Sequence, residues 1–326
     1  MSRRLPAWAL LALLTLVLAL GACRREGEGA VDGAPGDPVA AVEAQARALR
    51  ANDLAAYARL SLPPDLYART AARWDEEVAR AEPVDPADAA EYDEMMARLL
   101  ADDAEQALMR DLEPKLRQFE SEMAGQWPMM QATAGIFLNA AIQANEEMSD
   151  AEKAHGAELV SGLLAWAQPA LLTDRERARA AIAAAVGTAR ELQLPTLADA
   201  RALGHDAAMA KGGIALAGAK AVAKAYDLDL DASLDGVQAE LIDSEGDRAT
   251  VKVSYPLLGK TIAFEQEMVR IGEGWYSADA VREAEQALAE GAADATAMSD
   301  DTTAGNDEAT PAGDPADAAA EAASAD

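Results

Sequence analysis

Residues 246–255 read GDRATVKVSY. A turn pair, Gly246-Asp247, is followed by strict alternation: Val251, Val253 and Tyr255 fall on one face, Thr250, Lys252 and Ser254 on the other. A period of two with one apolar face is the pattern of a half-buried strand. The neighbouring residues extend the pattern. Val237 to Ile242 precede it; after Leu258-Gly259 come Ile262 to Ile271, the turn Gly272-Glu273-Gly274, and Trp275-Tyr276. Three or four short strands joined by turns this tight predict an antiparallel meander at about 237–278.

Upstream the period changes to that of helices. Aromatic residues make up only 4% of the chain and alanine abounds, which favours close-packed helices over a β-sandwich. Asp37-Pro38 is an N-cap with proline at the first helical position, and Val39, Val42, Ala46 and Leu49 then share a face. That helix is expected to reach about Leu60 and to end before Pro63-Pro64. A second covers Asp65 to Arg80. A third opens at Asp85-Pro86 and carries Met95, Leu99 and Leu112; Pro114 is expected to kink or break it. Another follows Trp127-Pro128, with Ile136, Phe137 and Ile142. Ser149 with Glu152, and Thr173 with Glu176, have capping-box spacing and predict helices near 150–167 and 174–192. Thr196 with Asp199 predicts a last long helix, or a broken pair, to about Tyr226. A short helix from about Asp279 to Glu290 follows the meander. The fold class is therefore α+β, predominantly α-helical, with an alanine-rich helical part before a small C-terminal meander. Residues 291–326 hold nine acids, no base and no aromatic, a composition that predicts a disordered acidic tail. No fixed-period repeat stands out.

The N-terminus carries an address. Arg3 and Arg4 precede an apolar run, Leu5 to Leu20, then Gly21, Ala22 and the only cysteine, Cys23. This is the order of a secretory signal peptide. A membrane span is the rival reading, weakened by Pro6 and Gly21 at its ends. Leu20-Gly21-Ala22-Cys23 resembles the lipobox of bacterial lipoproteins. That resemblance implies a signal peptide over 1–22, cleavage before Cys23, diacylglycerol on its sulfur and usually acylation of the new amino group. Multiple acyl chains give stable anchoring where one does not. Arg24 follows the cysteine, not the Asp that retains well-studied members in the inner membrane. The resemblance thus implies the outer membrane, facing the periplasm. Residues 23–37 are Gly- and acid-rich, a tether, and 38–290 are the periplasmic domain.

A helix-first domain ending in a meander also resembles the NTF2-like or cystatin-like domains of small bacterial lipoproteins. The residues that carry this are Ala48 to Tyr57 on the first helix and Gly246 to Val251 with Gly274-Trp275-Tyr276 on the sheet. The resemblance implies an apolar cone between meander and helices, with Phe264, Trp275 and Tyr276 near it.

Charge restricts the partners. The full chain has 28 basic and 57 acidic side chains. Residues 1–22 contain two arginines and no acid, so the mature chain has 26 basic and 57 acidic groups and a formal charge of −31. Such a surface repels nucleic acid and anionic lipid. With Cys23 lipidated no cysteine remains for a disulfide, so stability must come from packing.

Local motifs for chemistry are weak. Asp227, Asp229, Asp231 and Asp235 alternate as calcium ligands do, but in one EF-hand register Gln238 takes the place of the bidentate Glu, and in the other Ile242 does; the other reading is a turn or edge strand. Gly259-Lys260-Thr261 ends like a phosphate loop yet joins two strands, so a hairpin turn is expected. His155 and His205 lack neighbouring metal ligands at the usual spacing. Met123, Met129 and Met130 surround Trp127, a thioether group suited to Cu(I) or to filling a core. Gly212, Gly213 and Gly218 predict close helix packing. Lys211, Lys220 and Lys224 form a basic stripe that either pairs internally or docks an anion. No local motif supports catalysis, and no cofactor is expected. The functional expectation is a lipid-anchored, non-enzymatic interaction or structural module, with its contact helices between 86 and 226 and an envelope protein as partner. The alternative is a binder of a small apolar ligand. Cys23 is the single site residue.

Overall fold

The structure is a computed structural model that describes residues 33–303 apart from Glu82, Glu146 and Glu147. The expected signal peptide, Cys23, residues 24–32 and the end of the expected tail, 304–326, lie outside the described residues. The chain divides into a unit ending at Glu285 and a second from Gln286 to Asp326.

The sheet follows the alternation in the sequence. Strands β1 (Gln238–Glu245), β2 (Arg248–Leu257), β3 (Lys260–Ile271) and β4 (Gly274–Ser277) form an antiparallel meander in the order β1-β2-β3-β4. Val251 and Val253 are fully buried and Tyr255 nearly so, while Lys252 is exposed. All three hairpins have two-residue turns. Gly246 and Gly272 each take a positive φ at the first turn position, as a type II′ turn requires. At the β2–β3 turn Leu258 (φ 51°) and Gly259 (φ 77°) both do, the type I′ pattern. A leucine there is unusual; its Cδ1 lies over Gly162, 4.0 Å from where a side chain at that glycine would begin. β1 is an edge strand and is bulged: Leu241 pairs Val251 and Asp243 pairs Thr250, so Ile242 has no partner.

Among the described residues, twelve α-helices precede the sheet. α1 (Pro38–Arg50) is capped by Asp37, whose carboxylate accepts from Ala40 N. It lays Val42, Ala46 and Leu49 against the sheet. The chain then turns at Ala51–Asp53, and α2 (Leu54–Ser61) starts afresh under an Asp53 cap. The single helix expected to Leu60 is thus two: Asn52 takes φ 59°, a conformation asparagine tolerates, and Asp53 offers a new cap. α3 is Pro64–Arg80. α4 (Pro86–Leu100) ends at a break before α5 (Ala104–Gln118). Pro114, expected to kink or break the helix, sits inside α5; the interruption falls at Ala101–Asp103 instead. The chain widens into a π turn at Phe119–Met123, then a 3₁₀ turn to Gln126.

α6 (Trp127–Ala144) and α7 (Asp150–Trp166) form a hairpin. Ser149 caps α7 in a complete capping box with Glu152: Glu152 N donates to Ser149 Oγ at 3.3 Å, and Ser149 N donates to Glu152 at 2.7 Å. After the single turn α8 (Pro169–Leu172) comes α9 (Arg175–Leu192). Its cap is Asp174, not the expected Thr173, whose hydroxyl instead donates to Pro169 O at 2.8 Å. Thr196 caps α10 (Leu197–Arg201), followed by α11 (His205–Ala225). This is the broken pair. α9 and α11 pack face to face through small residues. A Cβ at Gly213 would stand 2.3 Å from Asn52 O, and one at Gly218 would stand 2.1 Å from Thr188 Oγ1. α12 (Leu230–Asp235) leads into the sheet, and α13 (Ala278–Thr303) follows it, running past the expected limit of Glu290.

The class is α+β and mostly helical, with the meander near the C-terminus. The body begins earlier than Pro38. Ala34 is buried, and Trp275 N donates to Pro35 O at 3.0 Å, so residues 33–37 of the expected tether lie along β4.

Candidate functional site

Two features of α6 and α7 set this hairpin apart. The first is the seat of α7 on the sheet. His155 stacks on Phe264 of β3 with ring centroids 4.6 Å apart and planes 19° apart. Its Nε2 lies 2.8 Å from the Tyr255 hydroxyl. Burial pulls the ring down to about 4, with Glu152 acting weakly the other way. Burial, with a smaller effect of Glu158, pushes the Tyr255 phenol up. Both groups are therefore neutral near pH 7, and one donates to the other. Phe264 is thus covered by His155. Trp275 and Tyr276 are buried in the core at the other end of β3. By register Phe264 and Trp275 share a sheet face with the buried Val251, Val253, Ile262 and Met268, whereas Tyr276 lies on the other face.

The second feature is the outer face of α6. Its inner face meets α7: Leu164 Cδ1 lies 3.3 Å from where a side chain on Gly135 would begin, and Ile142 Cδ1 lies 3.3 Å from the same point on Gly156. Gln131 Nε2 donates to the α7 carbonyl of Leu164 and to that of Ala167 just beyond it. The outer face is left in solvent. Met129 is 65% exposed, Ile136 71%, Phe137 70% and Leu138 45%. Large apolar side chains this open, side by side on one helix, mark an interaction surface more often than chance exposure does. No residue between Glu122 and Glu146 is charged, although charged residues make up 26% of the chain. Sequence reasoning placed Ile136 and Phe137 on a helix but did not single out this gap in charge, which was the available signal.

The aspartate stretch is satisfied from within the chain. Asp227 pairs with Arg177 at 2.7 Å, Asp229 with Lys224 at 2.8 Å, Asp231 with Lys220 at 2.9 Å and Arg50 at 3.3 Å, and Asp235 with Arg50 at 3.0 Å. Hydrogen bonds from Arg177 and Lys224 hold Asp227 and Asp229 below the usual carboxylate range. The stretch begins as a turn at Tyr226–Asp227, one of the expected readings, and then enters a helix, not an edge strand: Asp229 caps α12 by accepting from Ala232 N. Of the basic stripe, Lys220 and Lys224 pair internally. Lys220 is buried and also donates to Leu49 O at 2.6 Å, tying α11 to the end of α1. Gly259 lies in the β2–β3 turn, as expected, and Lys260 Nζ reaches Ser161 Oγ at 3.4 Å.

Elsewhere, an open cleft of about 450 Å³ lies between α5 and α9, lined by Glu105, Gln106, Met109, Arg110, Glu113 and Arg179. Among the described residues no group of three or more His, Cys, Asp or Glu could hold a metal, and no helix is long and apolar enough to cross a membrane. His155 and His205 lie apart: His205 packs edge-on against Tyr67. Met129 faces solvent.

No family model, curated protein or solved structure matches this chain.

Proposed function

We propose that the chain is a lipid-anchored, non-enzymatic interaction module of the cell envelope. Acyl chains on Cys23 hold it to the membrane, and it presents α6 to a protein partner. The observation that carries this reading is the outer face of α6, where Ile136 and Phe137 are exposed on a helix without charge in a strongly acidic chain. Burying an Ile and a Phe on a partner stabilises a complex by about 1.5–3 kcal/mol each before the cost of association. The lipobox-like Leu20-Gly21-Ala22-Cys23 supports the anchor, and Arg24 after it supports the outer membrane.

Position within the body fits this arrangement. The tether joins at the β3–β4 end of the sheet, where Pro35 meets Trp275. α7 meets the opposite end through Tyr255, Leu258 and Lys260. β3 has 12 residues, roughly 40 Å at ~3.3 Å per residue. Residues 33–37 and the α6–α7 hairpin therefore meet the sheet at opposite ends, which supports a hairpin free to meet a partner.

The test has two parts. Metabolic labelling with an alkyne fatty acid is expected to mark the wild type and to leave Cys23→Ser unmarked; label on the serine variant defeats the anchor. A photo-crosslinker replacing Phe137 is expected to capture an envelope protein in the host. A crosslinker at exposed Lys252, on the other face of the sheet, capturing the same protein with equal yield defeats the surface.

A further inference from the structure

We infer, resting on the reading of α6 as the presented face, that its partner is a protein helix with an apolar stripe and basic ends. Exposed residues Met129, Thr133, Ile136, Phe137, Ala140 and Ala144 follow the spacing i, i+4, i+7, i+8, i+11, i+15, which is one stripe along a helix. α6 has 18 residues, about 27 Å at ~1.5 Å per residue. A stripe of this length and width accepts a helix laid alongside it.

Charge selects among the occupants. The stripe is neutral but its ends are acidic: Glu120 and Glu122 precede it in sequence, and Glu146, Glu147, Asp150 and Glu152 follow it. Glu120 is neutralised by Arg175, whereas Glu122 is exposed and, among the described residues, its carboxylate meets the neutral amide of Gln118. At the other end Asp150 and Glu152 are exposed. Two copies packed through α6 in either direction would set acid against acid, which is destabilising. A bilayer is disfavoured on two counts. Helices that lie in a membrane surface carry Lys and Arg on their polar face, and α6 carries none; acidic flanks are also repelled by anionic headgroups. A helix ending in Lys or Arg satisfies both the stripe and its ends.

The test uses the full mature chain and three synthetic amphipathic peptides of α6's own length. They share one Leu/Ala stripe and end in Lys, Gln or Glu. Fluorescence anisotropy at low salt is expected to show the Lys-ended peptide binding about tenfold tighter than the Gln-ended one, as two favourable end contacts of up to ~1 kcal/mol each imply. The Glu-ended peptide is expected to bind weakest, and the gap to shrink at about 0.3 M salt. The double variant Ile136→Glu/Phe137→Glu is expected to lose binding while keeping its circular dichroism and melting temperature, since both side chains are largely in solvent. The inference is overturned if the three peptides bind alike, if none binds, if sedimentation shows a dimer that the double variant abolishes, or if that variant abolishes adsorption to phosphatidylethanolamine–phosphatidylglycerol vesicles. None of these readouts depends on Cys23, so this inference and the anchor fail separately. A Phe137 crosslink to a protein whose contact segment lacks basic ends upholds the presented face and defeats only the partner assignment.

Discussion

Protonating His155 is expected to loosen the seat of α7 on the sheet. The folded ring titrates at about 4 against an ordinary value of 6.5 because it is buried against Phe264 and Tyr255. Between those two values the unfolded chain binds the proton and the folded chain does not. Stability from this group is therefore complete above pH 6.5 and falls as pH drops toward 4. The full drop from 6.5 to about 4 sets a ceiling of about 3.4 kcal/mol. The ring is only half-buried, so solvent screening reduces this to about 2 kcal/mol. Urea unfolding of wild type and His155→Gln at several pH values between 4 and 7 measures it. The glutamine keeps a polar atom near the Tyr255 hydroxyl but does not titrate. Carboxylates contribute alike to both proteins, so the difference between the two curves isolates the histidine. The variant is expected to be the less stable protein at pH 7 and to lose about 2 kcal/mol less on acidification. A difference that stays flat within about 0.5 kcal/mol, or a His155 ring that titrates by NMR near 6.5, would refute the argument.

Close packing at α11 gives a graded pair. Gly213→Ala drives a methyl into the backbone oxygen of Asn52 and is expected to cost about 2–4 kcal/mol by thermal or chemical unfolding; Gly218→Ala meets only the movable Thr188 side chain, costs about 1–2 kcal/mol, and is largely rescued by Thr188→Ala. Lys220→Met keeps the buried stem but leaves Leu49 O without its charged donor, an expected loss of about 2 kcal/mol. Asp231→Asn takes the negative charge from the buried oxygen that faces Lys220 and is also expected to destabilise, by about 1–3 kcal/mol; no loss of stability in either variant would refute the assignment. Ser149→Ala removes half of the capping box and is expected to cost about 1 kcal/mol, read as a lower melting temperature without change in the folded spectrum.

The sheet was legible because each signal was local. The alternation in β2 and the Gly-containing turns are fixed by side-chain direction and backbone sterics within a few residues. Most helix starts were legible for the same reason: Asp37, Asp85, Ser149 and Thr196 all cap where their sequence places them. Interruptions were harder. Apolar periodicity runs unbroken through Ala48–Tyr57, and only Asn52-Asp53 betrays the turn between α1 and α2. At Pro114 the local penalty was overridden within α5, and at Thr173 the hydroxyl had a nearer carbonyl to bind. The seat of His155 was not legible, because Phe264 and Tyr255 come to it from about a hundred residues away. Nor were Arg50 and Arg177 legible as the counter-ions of the aspartates. The open face of α6 lay between: its lack of charge is written in composition, but only packing decides which side of an apolar helix stays in water.

The bulge at Ile242 carries a consequence for crowding. An unpaired strand edge invites another chain to extend the sheet, and the proposed lipid anchor would concentrate such edges in a plane. Here the ladder loses step at one residue, and Glu240, Asp243 and Glu245 repel an identical neighbour on either side of it. Copies of this protein that meet edge to edge are thereby discouraged from zipping into a continuous ribbon.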